Sequence, residues 1–120
     1  MQKRILVVDD DTMNLMRTKM ILGKEYDVLF ANSGIEALEK LRHEQVDLVL
    51  LDIEMPKLNG IETFERMKEF AGDIPVIFLT ASGQESDVVS AIRLGAVNYL
   101  KKPFEPQELI RRVAQELEEQ

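Results

Sequence analysis

Leu48-Val49-Leu50-Leu51 runs straight into Asp52-Ile53-Glu54-Met55-Pro56, so that four unbroken apolar residues end at a carboxylate and a proline turn. The same plan recurs along the chain. Ile5 to Val8 ends in Asp9-Asp10-Asp11, Val76 to Leu79 in Thr80-Ala81-Ser82, and Val97 to Leu100 in Lys101-Lys102-Pro103. These runs are apolar at successive rather than alternate positions, which predicts strands covered on both faces, as a parallel sheet between helical layers requires. Five such runs alternate with longer stretches of helical periodicity, the pattern of repeated βα units. The fold class is α/β, and the hydrophilic residues that end parallel strands share one edge of the sheet.

The helical stretches carry their own punctuation. Met13, Met16 and Met20 mark a face of the first and, like most of the six methionines, read as core material. Ser33 and Glu36 form a capping box for the second, with Ile35, Leu38 and Leu41 as its buried stripe. Gly60 precedes the third, whose Ile61, Phe64 and Met67 point inward. A fourth is expected from about Gln84 to Leu94, closed by Gly95 in a left-handed cap. The fifth starts at Pro106, where the first turn needs no N–H donor, and repeats Leu109, Val113 and Leu117 at i, i+4 and i+8.

A chain of 120 residues fits one domain, 1–120, large enough to bury roughly two thirds of its unfolded surface. It has no cysteine, which excludes disulfides and thiolate metal sites and is compatible with a reducing compartment. Met1 to Arg4 leads into an apolar run too short for a signal-peptide core, and no run approaches the ~18 residues of a membrane span, so a soluble, cytoplasmic protein is expected. The net charge of −7 argues against nucleic acid and anionic membrane as direct partners. His43, within Arg42-His43-Glu44-Gln45, reads as solvated, and so does the Glu-rich end from Glu116 to Gln120.

Ligands of open α/β sheets bind beyond the carboxyl ends of the strands, where Asp9, Asp10, Asp11 and Asp52 would form a hard-oxygen cluster. Repulsion among these carboxylates is relieved most simply by a divalent cation or an ammonium group. Mg2+, which combines few carboxylates with water and phosphate oxygens, suits so sparse a set. A purely structural reading stays open for the same residues: acidic groups favour a helix N-terminus, and Asp11, just before the first helix, reads as its cap. Asp52 alone is equally compatible with a solvated strand end.

Taken together, Val7-Val8-Asp9-Asp10, Leu51-Asp52-Ile53-Glu54-Met55-Pro56 with Gly60, Thr80-Ala81 and Lys102-Pro103-Phe104 resemble the receiver domains of two-component response regulators, in order and over essentially the whole chain. The resemblance implies a single (βα)5 doubly wound, five-stranded parallel sheet of flavodoxin-like order 2-1-3-4-5, with helices on both faces. It implies that Asp52 accepts a phosphoryl group from a sensor histidine kinase or a histidine phosphotransfer protein. Asp9, Asp10, Asp52 and the Glu54 carbonyl would organise Mg2+, for which Mn2+ can substitute. Thr80, Lys102 and the N–H groups of Glu54 and Ala81 would meet the phosphoryl oxygens. Lys102 is preferred to Lys101, which faces the other way in a strand. Thr80 and Tyr99 match switch positions that alter the surface of the fourth helix, fifth strand and fifth helix, which would signal to a protein target or a fused effector domain. Glu54 and Ser82 sit where phosphoryl lifetime is tuned, and a cis Lys102-Pro103 bond is implied. A phosphorylation-dependent homodimer would use Arg93, Arg111 and Arg112, whose other reading is a solvated face.

Three other readings compete with this one. A flavin carrier shares the sheet, but three aspartates after the first strand repel a phosphate. An aspartyl-nucleophile phosphohydrolase, suggested by Asp52-x-Glu54, would place its nucleophile on the first strand and add a cap domain. A receiver-like module that binds partners without phosphorylation lacks support from the intact Asp9, Asp10, Asp52, Thr80 and Lys102. The resemblance implies a signalling phosphoacceptor that catalyses only its own phosphorylation and dephosphorylation.

Overall fold

The computed structural model describes residues 2–81, 93, 95 and 98–118. Strands β1 (Arg4–Val8), β2 (Asp27–Ala31), β3 (Leu48–Asp52), β4 (Val76–Thr80) and β5 (Asn98–Lys101) alternate with helices α1 (Thr12–Leu22), α2 (Gly34–His43) and α3 (Gly60–Ala71), and helix Pro106–Glu118 closes the chain. The five strands form one sheet in the order β2-β1-β3-β4-β5, every pair parallel. The expected order 2-1-3-4-5 is thus the observed one. Of the fourth helix expected at 84–94 only Arg93 is among the described residues, and it is helical; Gly95 has the positive φ of 97° that its capping role requires.

Unbroken apolar strands feed two cores because successive side chains point to opposite faces. Leu6, Val8, Val49, Leu51, Val76 and Phe78 pack with Ala37, Leu41, Phe64 and Met67, so α2 and α3 cover that face. Ile5, Val7, Leu48, Leu50, Ile77 and Leu79 pack on the other face with Leu15, Leu22, Leu109, Val113 and Leu117, under α1 and the C-terminal helix. The rings of Phe64 and Phe78 meet edge to face, centroids 5.3 Å apart at 77°.

Three expectations about the helices need correction. Met13, Met16 and Met20 are exposed rather than core, because α1 turns Leu15, Thr18 and Leu22 to the sheet instead. Ile35 is 63% exposed, since α2 buries Gly34, Ala37 and Leu41. Only half of the α2 capping box is as expected: Ser33 Oγ accepts from Glu36 N–H, but the Glu36 carboxylate accepts from the N–H of Asn32, one residue earlier. The full reciprocal box belongs to α3, between Asn59 and Glu62. Asp11 does cap α1, accepting from Met13 N–H at 2.9 Å. His43 is exposed at the end of α2, as expected.

Gly60 allows α3 to start against the end of β3. A Cβ there would lie 2.3 Å from the Asp52 carbonyl oxygen and 2.8 Å from Ile53 Cα, both backbone atoms that cannot swing aside. Gly60→Ala is expected to lower stability by about 1–3 kcal/mol through overpacking. A urea midpoint equal to that of the unaltered chain would mean that this approach is not tight.

Candidate functional site

Backbone pairing brings the acidic residues to one edge of the sheet. Asp9 N–H donates to Ala31 O at 3.1 Å and Ile53 N–H donates to Leu79 O at 2.9 Å, so each ladder continues through the residues that carry the site. Asp9 and Asp52 are buried, 2% and 3% exposed, whereas Asp10 is open to solvent. Asp9 is further oriented by Asp11 N–H, which donates to its Oδ1 at 2.9 Å. One oxygen from each of Asp9, Asp10 and Asp52 lies within 4.8 Å of the others, close enough for one cation to bridge them.

An ammonium group reaches the same cluster from the far side of the sheet. Lys102 N–H donates to Thr80 O at 2.7 Å just past β5, and its Nζ stands 2.9 Å from Asp9 Oδ2 and 3.3 Å from Asp52 Oδ1. Lys101 is exposed, so the choice between the two lysines falls on Lys102. The Lys102-Pro103 bond is cis.

These charges perturb one another. Burial raises the Asp52 carboxyl, Lys102 opposes that, and the charges of Asp9 and Glu54 add to it, giving a pKa of about 7 against an ordinary 3.8. Burial also pulls the Lys102 ammonium downward. Its hydrogen bond to Asp9 and the charges of Asp52 and Asp9 outweigh that, so its pKa stands above the usual lysine value.

Thr80, at the end of β4, is buried, and its hydroxyl donates to Glu54 Oε1 at 2.7 Å. Ala81 N–H points to the other oxygen of the same carboxylate at 3.4 Å, while Glu54 N–H donates to Asp52 Oδ1 at 3.3 Å. Tyr99 lies on β5 and is 40% exposed. Ser82 lies outside the described residues. Beside Asp9 and Lys102 opens a cavity of about 260 Å³, walled by Asn14, Arg17 and Phe104. Arg17 donates to the Phe104 carbonyl at 3.2 Å and stacks over its ring at 5.5 Å. Neither Asn14 nor Arg17 was legible as part of the site, since both sit within α1 without a motif.

Residues 5–114 match the response regulator receiver domain family. The chain belongs to that family. As a receiver domain it is 44% identical over 113 residues to the transcriptional regulatory protein CpxR homolog of Haemophilus influenzae, and 41% identical over 114 residues to the alkaline phosphatase synthesis transcriptional regulatory protein PhoP of Bacillus subtilis. Each comparison covers 94% of this chain but 49% and 48% of the relative, so the receiver domain spans about half the length of these curated relatives. Its fold is similar to the CheY-like receiver domain protein of Methanospirillum hungatei, with a TM-score of 0.94 and 34% identity over 99% of this chain and 96% of the other. Chemotaxis protein CheY4 of Vibrio cholerae gives 0.90 and 28%, over 98% and 100%. Receiver domains are signalling phosphoacceptors of two-component systems rather than enzymes acting on a separate substrate. Among the described residues, no helix is long and apolar enough to cross a membrane.

The raised Asp52 pKa makes the metal-free receiver sensitive to pH in a defined direction. Because the folded state holds the Asp52 proton more tightly than the unfolded chain, the contribution of Asp52 to stability falls as pH rises from about 4 to about 7 and changes little above that. Asp52→Asn has no charge to bury. In chelator its stability advantage is expected to grow between pH 5 and 8, reaching about 2–4 kcal/mol. Parallel stability profiles for the two proteins over that range would contradict the assignment.

Proposed function

We propose that Asp52 is the phosphoacceptor of this receiver, taking its phosphoryl group from a phosphohistidine on a sensor histidine kinase or histidine phosphotransfer protein. The convergence of Asp9, Asp10 and Lys102 on the buried Asp52 carboxylate carries this reading. An all-oxygen donor set with one solvent-facing member suits Mg2+, or Mn2+ in its place, and Asp9, Asp10, Asp52 and the Glu54 carbonyl would hold it directly or through water. When bound, the ion supplies positive charge against the phosphoryl oxygens and screens the carboxylates.

In the transfer itself, an Asp52 oxygen forms the new P–O bond as the P–N bond to the histidine ring breaks. The bonding pair stays on that nitrogen, and the ring departs neutral because its other nitrogen carries the proton. The protein contributes position and charge rather than covalent work. Lys102 favours the ionised nucleophile against the burial that opposes it, and offsets the nearly two negative charges of the product. The Thr80 hydroxyl and the N–H groups of Glu54 and Ala81 receive phosphoryl oxygens. Hydrolysis of the resulting acyl phosphate resets the domain, which acts only on itself.

The same reading makes Thr80 and Tyr99 the switch. Movement of the hydroxyl toward the phosphoryl group and of the ring inward would remodel the surface around β5 and the helices that flank it, by favouring one of two conformations. The output passes to a protein target or fused effector domain, or to a phosphorylation-dependent homodimer, in the cytoplasm and without direct contact to nucleic acid or membrane. Within this chain Arg111 and Arg112 already pair with Glu108, at 2.6 and 2.9 Å, and hydrogen bonds from Arg111 first, then Arg112, hold the Glu108 carboxyl below its ordinary pKa.

Incubation with Mg2+ and acetyl phosphate should add the mass of one phosphoryl group to the wild-type protein. No such gain should appear with Asp52→Asn or in chelator. Stoichiometric labelling of Asp52→Asn would remove Asp52 from the role.

A further inference from the structure

Two donors at the end of β4 are already engaged by an anion that belongs to the protein. The buried Thr80 hydroxyl and the Ala81 N–H address the two oxygens of one carboxylate, Glu54, at 2.7 and 3.4 Å. Glu54 is an exposed residue of the loop between β3 and α3, so its carboxylate reaches these donors from a solvent-accessible position. A hydroxyl and an amide that together cradle a carboxylate are a site selective for anionic oxygens, since charge-assisted hydrogen bonds are roughly twice as strong as neutral ones. The negative charge of Glu54 also acts on Asp52, contributing to the rise of its pKa.

We infer that the Glu54 carboxylate is an intramolecular latch that occupies the phosphoryl cradle of the unmodified domain. The inference rests on the phosphoacceptor reading above and deepens it. Thr80 and Ala81 cannot serve Glu54 and an incoming phosphoryl group together, so activation exchanges one anion for another at the same donors. Closure of the latch holds the Thr80 hydroxyl toward Glu54 and lowers the fraction of molecules ready to receive the phosphoryl group. Apparent affinity for a phosphoryl-like ligand is reduced by that fraction. Glu54 is in these terms a positioning residue that acts through Thr80, not a group that reacts.

Beryllofluoride, an anionic phosphoryl mimic, titrated in saturating Mg2+ into the wild type, Glu54→Ala, Thr80→Val and the double variant tests this, with backbone amide shifts as the readout. Glu54→Ala should tighten beryllofluoride binding about tenfold, the scale of one charge-assisted bond removed from the competing state. The gain should shrink below about twofold in the Thr80→Val background, where the hydroxyl that the latch holds is gone. In the ligand-free protein the Thr80 and Ala81 amides should already shift on Glu54→Ala, with Thr80 χ1 becoming averaged. Equal or weaker binding by Glu54→Ala would overturn the latch while leaving the phosphoacceptor reading in place. An equal gain with and without the Thr80 hydroxyl would reduce Glu54 to a general charge effect and also overturn it. Failure of both the wild type and Glu54→Ala to bind beryllofluoride would defeat the phosphoacceptor reading, and the latch with it.

Discussion

One ammonium group, Lys102 Nζ, stands 2.9 Å from Asp9 and 3.3 Å from Asp52, and the arrangement of the sheet edge depends on it. Two buried carboxylates at the ends of adjacent parallel strands repel each other in a medium that screens poorly. Removing one partner of a buried ionic set is far more costly than the net worth of the set, because the charge that stays behind has lost its compensation. The pairing therefore works less as added stability than as a condition for Asp9 and Asp52 to coexist. It remains incomplete, since the Asp52 pKa stays at about 7 even with Lys102 in contact. An edge that is still short of positive charge is one at which a divalent cation has a reason to bind.

That condition is met by chain topology. Lys102 follows β5, and β5 borders only β4, whereas Asp9 follows β1 on the other side of β3. The lysine must reach past the end of β4 and over β3 to close on Asp9, and it does so because Lys102 N–H remains tied to Thr80 O. The two apolar layers below fix the strands that carry these groups. A slip of one residue in β3 would turn Asp52 to the opposite face and exchange the two cores. Packing of Leu48 and Leu50 on one side and Val49 and Leu51 on the other thereby sets the position of the carboxylate at the strand's end.

Much of this was legible because the signals were local and redundant. Strands apolar at every position imply burial on both faces whatever covers them, and each of β1, β3, β4 and β5 announced its end with a residue capable of chemistry. The helices were less legible because apolar periodicity does not say which of two offset stripes meets the sheet. In α1 one stripe is Met13, Met16 and Met20, and the other is Leu15, Thr18 and Leu22. The second stripe meets the sheet, with a threonine whose hydroxyl bonds back to the Asn14 carbonyl at 2.9 Å and so needs no partner from the sheet. Asn59-x-x-Glu62 carries a capping pattern as plain as that of Ser33 and Glu36, but Gly60 beside it is the more conspicuous signal. Arg17 and Asn14 join the site only through the packing of α1 against the segment after β5, which no sequence spacing encodes.

The least legible element is the direction of the Glu54 side chain. From its place two residues beyond Asp52 its carboxylate had a position near the site but no sign of action, since an acidic group there is able to hold water, repel it or bind elsewhere. The geometry resolves which donors it addresses: the same hydroxyl and amide that the phosphoacceptor reading reserves for phosphoryl oxygens. In terms of charge, the unmodified site then holds Asp9, Asp10, Asp52 and Glu54 against Lys102, and phosphorylation would add further negative charge to a set already in deficit. Exchange of Glu54 for the phosphoryl group at the Thr80 and Ala81 donors moves one carboxylate outward as the new charge enters, which lessens the repulsion that Lys102 and a divalent ion must offset. A latch of this kind links occupancy of the site to the conformation of Thr80 without any rearrangement of the strands.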